Sequence, residues 1–180
     1  MMTSLGVGRT ARARSGHPAR TGLRIRISSG VGAASTPLSA FDAALWDAGV
    51  ANFNLVRLSS VIPPGSRISI VDGPQQIKGG HGDLLYCVYA VDVATQPGET
   101  AWAGIAWATA DDDSGAGLFV EHTAGSAAQL EKQLSESLAD LARHRGGGYT
   151  RAGSIVTSAT FEGQPAAAVV IATYRHEGWQ

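Results

Sequence analysis

Several things are scarce in this chain, and each scarcity excludes something. A single cysteine, Cys87, rules out an internal disulfide; set within an apolar run, it reads as a small buried side chain in a reducing, cytoplasmic protein. No apolar run approaches the ~20 residues that a membrane-spanning helix needs, so no membrane association is expected. The five histidines lack metal-ligand spacing, and Asp111-Asp112-Asp113 reads as a solvated loop tip, so no metal is expected. A net charge of −1 gives no electrostatic reason to bind nucleic acid. Acidic residues are missing altogether before Asp42, although Arg9, Arg12, Arg14, Arg20, Arg24 and Arg26 all lie there. That basic stretch has no continuous apolar core of the secretory kind. Residues 1–22 read as a disordered basic arm, and their Arg- and Ser-rich composition also fits an organellar presequence.

What is present suits one domain with a real core, spanning residues 23–180. Hydrophobic residues make up 44% of the chain against 16% charged, a balance that favours much buried surface and an oligomer. Leu23 to Ser28 alternates as a half-buried strand, and Gly30 to Ser35 reads as a flexible link. Thr36-Pro37 has helix-start chemistry, Leu38, Phe41, Ala44, Leu45 and Ala48 give one apolar face, and Gly49 supplies the stop. Asp42 is placed beside that stripe. Short strands are expected at 67–71, 83–93, 101–109, 117–123, 154–161 and 166–174, with turns at Gly73-Pro74 and Gly79-Gly80. A second helix is expected from about Ser126 to Arg145, carried by Leu130, Leu134, Leu138 and Leu141 and ended by Gly146-Gly147-Gly148. The element order gives an α+β layer structure, two helices on mostly antiparallel sheets.

The chemically suggestive stretch is Asn54-Leu55-Val56-Arg57-Leu58-Ser59-Ser60-Val61-Ile62-Pro63-Pro64-Gly65. It begins as a strand and ends in a pair of prolines, which supply no donors and hold Ile62 extended. Two serines therefore stand where regular pairing stops. Taken alone, that is a strand end with solvated hydroxyls. Together with Thr36-Pro37-Leu38-Ser39-Ala40-Phe41-Asp42, Pro97-Gly98-Glu99-Thr100 and Gly117-Leu118-Phe119-Val120-Glu121, the stretch resembles the pyruvoyl-dependent arginine decarboxylases. The likeness runs from about Thr36 to the C-terminus.

The resemblance implies an αββα sandwich that assembles as a homotrimer with its active site near a subunit interface. It also implies self-cleavage into residues 1–59 and 60–180. In that route Ser60 Oγ attacks the Ser59 carbonyl, the resulting ester eliminates, and ammonia is lost. Residue 60 is left as a covalent pyruvoyl group, the cofactor, on which the substrate amine forms a Schiff base. Asn54 is implied to assist processing, and a side-chain amide is suited to holding an oxyanion. Glu121 is implied to be the proton donor that reprotonates Cα; the apolar run Leu118-Phe119-Val120 before it favours its neutral form. His122 should point to the other face of the strand and ranks second. Asp42 is implied to hold the guanidinium of arginine, with Leu45, Phe53 and Ser59 also at the substrate. Glu99 matches a family position, and its turn setting accounts for it.

Pyridoxal phosphate is the usual alternative electron sink. Here the only lysines are Lys78, in a Gly-rich turn, and Lys132, on the long helix, and neither has a cofactor setting. The expected reaction is conversion of L-arginine to agmatine and CO2. The rival readings are the same chemistry on another amino acid and a non-catalytic oligomeric relative of the fold.

Overall fold

The fold was obtained as a computed structural model in which residues 22–71 and 77–179 are described. The basic arm up to residue 21 and the turn expected at Gly73-Pro74 lie outside the described residues. In chain order the elements are β1 (Arg24–Ala33), α1 (Pro37–Asp47), β2 (Asn54–Arg57), β3 (Val61–Ile62), β4 (Arg67–Ile70) and β5 (Leu84–Ala94). They are followed by β6 (Thr100–Ala110), β7 (Gly117–Ala124), α2 (Ala127–His144), β8 (Tyr149–Thr160) and β9 (Ala166–Glu177).

Two sheets result. Sheet A has the strand order β2-β5-β9-β1-β4 and sheet B the order β3-β7-β6-β8. Among the described residues the pairings are antiparallel except β1 with β4 and β2 with β5. The sheets face each other, α1 covers the outer side of sheet A, and α2 covers the outer side of sheet B. The fold is thus the expected four-layered α+β sandwich. Its three apolar clusters follow from the layers: one between the sheets, one under α1 and one under α2. Strand β9 shows why its sequence is continuously apolar. Ala168, Val170, Ala172 and Tyr174 face the inter-sheet core, while Ala167, Val169 and Ile171 lie under α1.

Both helices start as their sequences dictate. Thr36 Oγ1 accepts from Ser39 N at 3.1 Å, and Ser126 Oγ accepts from Gln129 N at 3.3 Å. Leu130, Leu134 and Leu138 are buried on sheet B, each contributing roughly 1.5–3 kcal/mol of apolar transfer. In α1 the buried stripe is Ala40, Ala44, Leu45 and Ala48, not one led by Leu38, which is 77% exposed. The helical angle puts Leu38 about a quarter turn off that stripe. Asp42, expected beside it, lies farther round and is exposed.

Four further boundaries differ from the sequence reading. The link expected from Gly30 is strand, because β1 continues to Ala33. Its glycines serve close approach rather than flexibility. A Cβ on Gly30 would stand 2.2 Å from the Ala44 carbonyl oxygen, and one on Gly32 would stand 2.4 Å from Ala44 N. Strand β8 begins at Tyr149, and β9 runs on to Glu177. Val61-Ile62, expected outside regular pairing, forms the short strand β3 against Leu118 and Gly117.

The tight seat of α1 makes Gly30→Ala an informative change. It should destabilise the fold by about 1–3 kcal/mol through overpacking, read as a lowered Tm in a thermal melt. An unchanged Tm would mean that helix and strand do not sit this close.

Candidate active site

The serine pair lies where the chain crosses from one sheet to the other. Strand β2 ends at Arg57, and Leu58 N still donates to Cys87 O at 2.8 Å, which extends its ladder with β5 in sheet A. Three residues later Val61 has entered sheet B. The crossing is made at Ser60, whose φ of 65° puts a side chain with a Cβ in the left-handed region. Such a conformation costs on the order of 1–3 kcal/mol and persists only where neighbours hold it. Here three hydrogen bonds do so. Phe119 N donates to the Ser60 carbonyl oxygen at 2.8 Å, Tyr174 Oη donates to the Val61 carbonyl oxygen at 3.2 Å, and Ser60 Oγ donates to Glu121 Oε1 at 2.6 Å.

Glu121 reaches Ser60 because of strand alternation. On β7, Leu118 and Val120 face α2, so Phe119 and Glu121 face the space between the sheets. Burial raises the Glu121 carboxyl above the ordinary glutamate range; the hydrogen bond from Ser60 and the charge of Arg57 act in the opposite direction. Arg57 is itself held by Tyr89, donating to its carbonyl oxygen at 3.2 Å with its guanidinium 5.0 Å from the ring centroid. His122 points the other way, as alternation requires, and its Nε2 lies 2.8 Å from Ser137 Oγ on α2. Cys87 is buried, and burial pushes its thiol up to about 12, which makes it inert.

Ser59 is exposed on a cleft of about 540 Å³ that is also lined by Leu58, Val61, Tyr86, Tyr174 and Arg175. The remaining sequence-predicted residues stand elsewhere in the chain. Leu45 is buried beneath α1, with Phe53 packed against the same cluster and its ring tilted 6.2 Å from that of His176. Asn54 Nδ2 donates to the Gly82 carbonyl oxygen at 2.6 Å. The structure therefore joins Ser59, Ser60 and Glu121 at the junction between the sheets, and places Asp42 and Leu45 on the α1 side of sheet A. Glu99 closes its own turn, accepting from Thr95 N at 2.7 Å and Gln96 N at 3.0 Å. Among the described residues no cluster of potential metal ligands forms.

Two residues at the junction carried no signal for it in the sequence. Arg57 reads as the polar half of an alternating strand, and Tyr174 reads as the end of one. Only the fold brings Tyr174 to Val61, 113 positions away in the chain.

A family profile described as "Pyruvoyl-dependent arginine decarboxylase" matches residues 24–177. The chain belongs to the pyruvoyl-dependent arginine decarboxylase family. Relatives bearing that name include a protein of Halobacterium salinarum, 46% identical over 98 residues, which is 54% of this chain and 59% of the relative. Those of Methanococcus vannielii and Methanocaldococcus jannaschii are each 34% identical over 139 residues, or 77% of this chain, and are covered to 82% and 81%. The match to the Halobacterium protein thus spans under two thirds of that relative's length. The family's name specifies a pyruvoyl prosthetic group, and the residues at the junction between the sheets have the chemistry to hold one. A hydroxyl rests on a carboxylate, the serine backbone is strained, and the preceding residue opens on a cleft.

Proposed function

We propose that the chain cuts its own backbone between Ser59 and Ser60, and that the product decarboxylates L-arginine to agmatine and CO2 with residue 60 as a pyruvoyl group. The observation that carries this reading is the 2.6 Å hydrogen bond from Ser60 Oγ to Glu121, made by a serine held at φ 65°. A serine hydroxyl is a weak nucleophile unless a base sits within reach, and Glu121 is within reach. As Oγ attacks the Ser59 carbonyl carbon, Glu121 takes the hydroxyl proton. The Ser59–Ser60 C–N bond then breaks to leave an ester. Loss of the Ser60 Cα proton expels the Ser59 carboxylate, and one water replaces the residue-60 nitrogen, which departs as ammonia. The pieces are residues 1–59 and 60–180.

When formed, the ketone supplies the electron sink that decarboxylation of an amino acid requires. The rest is done by side chains. Glu121, whose burial favours the proton-carrying form, delivers a proton to the substrate Cα. Asp42 holds the guanidinium by a charge-assisted contact, with Leu45 and Phe53 beside the aliphatic chain of the substrate.

These groups do not meet within one protomer. Asp42 is exposed on the helix outside sheet A, whereas Ser60 and Glu121 lie at the junction between the sheets. Asn54 begins β2 and lies roughly 13 Å along the strand from Leu58, so its amide does not reach its own scissile bond. Its Nδ2 carries two hydrogens, of which Gly82 takes one. Strand β2 is an edge of sheet A, a place where a second chain can complete the structure. The proposal therefore includes a homotrimer in which one protomer brings Asp42, and its Asn54, to the Ser60 of the next. A reducing, cytoplasmic setting goes with it. Among the described residues no helix is long and apolar enough to cross a membrane.

A mixing experiment tests the shared site. Asp42→Ala and Ser60→Ala homo-oligomers should each be inactive as purified. Co-expressed, they should recover about a quarter of parental arginine-dependent CO2 release, since intact sites form only where an unaltered Asp42 meets an unaltered Ser60. No recovery in mixed oligomers would contradict an interfacial site.

A further inference from the structure

The junction contains one side chain that the reaction does not consume and that the family likeness assigns no role. Tyr174 is 7% exposed, and its ring stands edge-on to Phe119, with centroids 6.2 Å apart. It is placed by an irregularity in sheet A. The register between β5 and β9 shifts so that Tyr86 pairs with Arg175 and Cys87 with Thr173, leaving Tyr174 as the extra residue. A bulge of this kind re-aims side chains, and here consecutive residues, Tyr174 and Arg175, both line the cleft beside Ser59. The Tyr174 hydroxyl ends on the carbonyl oxygen of Val61, the residue that follows Ser60.

That contact has a specific consequence for residue 60. Its left-handed φ will relax toward the extended region unless the peptide planes that follow are held. Phe119 N holds the carbonyl of Ser60, and the Tyr174 hydroxyl holds that of Val61. Once the Ser59–Ser60 bond is broken, residue 60 is a chain terminus and has lost its tether on the other side. The two carbonyl contacts are then what fixes its direction. Burial, with Glu121 and Cys87 nearby, raises the phenol above its ordinary range, so the hydroxyl remains a donor at working pH.

We infer that Tyr174 is a positioning residue: through its hydrogen bond to the Val61 carbonyl it holds residue 60 in reacting geometry, before cleavage and after it. The inference rests on the self-cleavage reading above. It adds a demand on a hydroxyl group whose removal leaves the aromatic packing in place.

Full-length chain made by cell-free translation provides the test, with cleavage followed over time by denaturing gel and mass. Tyr174→Phe keeps the ring against Phe119 and should slow cleavage by about tenfold, the effect of one lost positioning hydrogen bond on an oriented attack. Its Tm should stay within about 2 °C of the parental value, as expected when packing is intact. The fraction that does mature should show a lowered kcat for CO2 release at a near-parental KM. Parental rates of both cleavage and turnover would overturn the inference. A slowed cleavage accompanied by a Tm loss of many degrees would overturn it too, by assigning Tyr174 to packing alone. Parental chain and Ser60→Ala run alongside separate the two levels. If the parental chain stays whole, self-cleavage itself fails; if it cleaves and Tyr174→Phe keeps pace with it, only the role of Tyr174 fails.

Discussion

Replacing Ser60 by alanine should leave one uncut chain of 18.6 kDa and no decarboxylation at all. The loss is complete because the same atom serves twice. Without Oγ there is no nucleophile at the Ser59 carbonyl, and without cleavage there is no ketone to take up electrons. The fold should survive the change. Ser60→Ala removes one hydrogen bond to Glu121 and keeps the backbone contact from Phe119 N. A Ser60→Ala protein that still splits, or that still releases CO2 from arginine, would remove Ser60 from the chemistry.

The second large effect belongs to Glu121. Glu121→Gln keeps an oxygen that accepts a hydrogen bond from the Ser60 hydroxyl but cannot take its proton as a base, so cleavage should slow by roughly 10²-fold and give a cleaved fraction only on long incubation. It has no acidic proton to deliver, so turnover of the cleaved enzyme should fall by roughly 10²-fold or more. The direction of the Glu121 shift adds a pH signature. Burial raises its folded-state pKa, so between the ordinary and the raised value the folded protein binds more protons than the unfolded chain. Stability therefore falls as pH rises through that window, and the penalty persists above it. Glu121→Gln removes the penalty, so its Tm should gain on the parental Tm more at pH 8 than at pH 4. Parental kcat should fall as pH rises past the raised pKa, where the donor proton is lost. A Glu121→Gln enzyme that decarboxylates at the parental rate would contradict the assignment.

The sequence was legible wherever the determinant was local. Leucines at four, four and three residues place α2 on sheet B, and Thr36 and Ser126 cap the helices as their side chains allow. Alternation on β7 separates Glu121 from His122 before any coordinates are known, and the structure sends them to Ser60 and to α2. What escaped was set by distant parts of the chain. Gly30 and Gly32 read as a flexible link because the helix that presses on them lies a dozen residues later. Val61-Ile62 is too short to announce a strand and becomes one only because β7 is there to pair with it. Leu38 looked like core from its chemistry alone, yet a helix buries a stripe of angles and not every leucine. At the site, the serine pair stood out against the prolines that follow it. The left-handed turn at Ser60 and the hydroxyl of Tyr174 required the fold.

A break in the backbone between Ser59 and Ser60 would show in the intact mass of the purified protein under denaturing conditions. Two polypeptides are expected, with the C-terminal one beginning at residue 60 and lighter by one ammonia than simple hydrolysis at that bond would leave it. A single species of 18.6 kDa after prolonged incubation, or a C-terminal piece that begins with an ordinary serine amine, would contradict it.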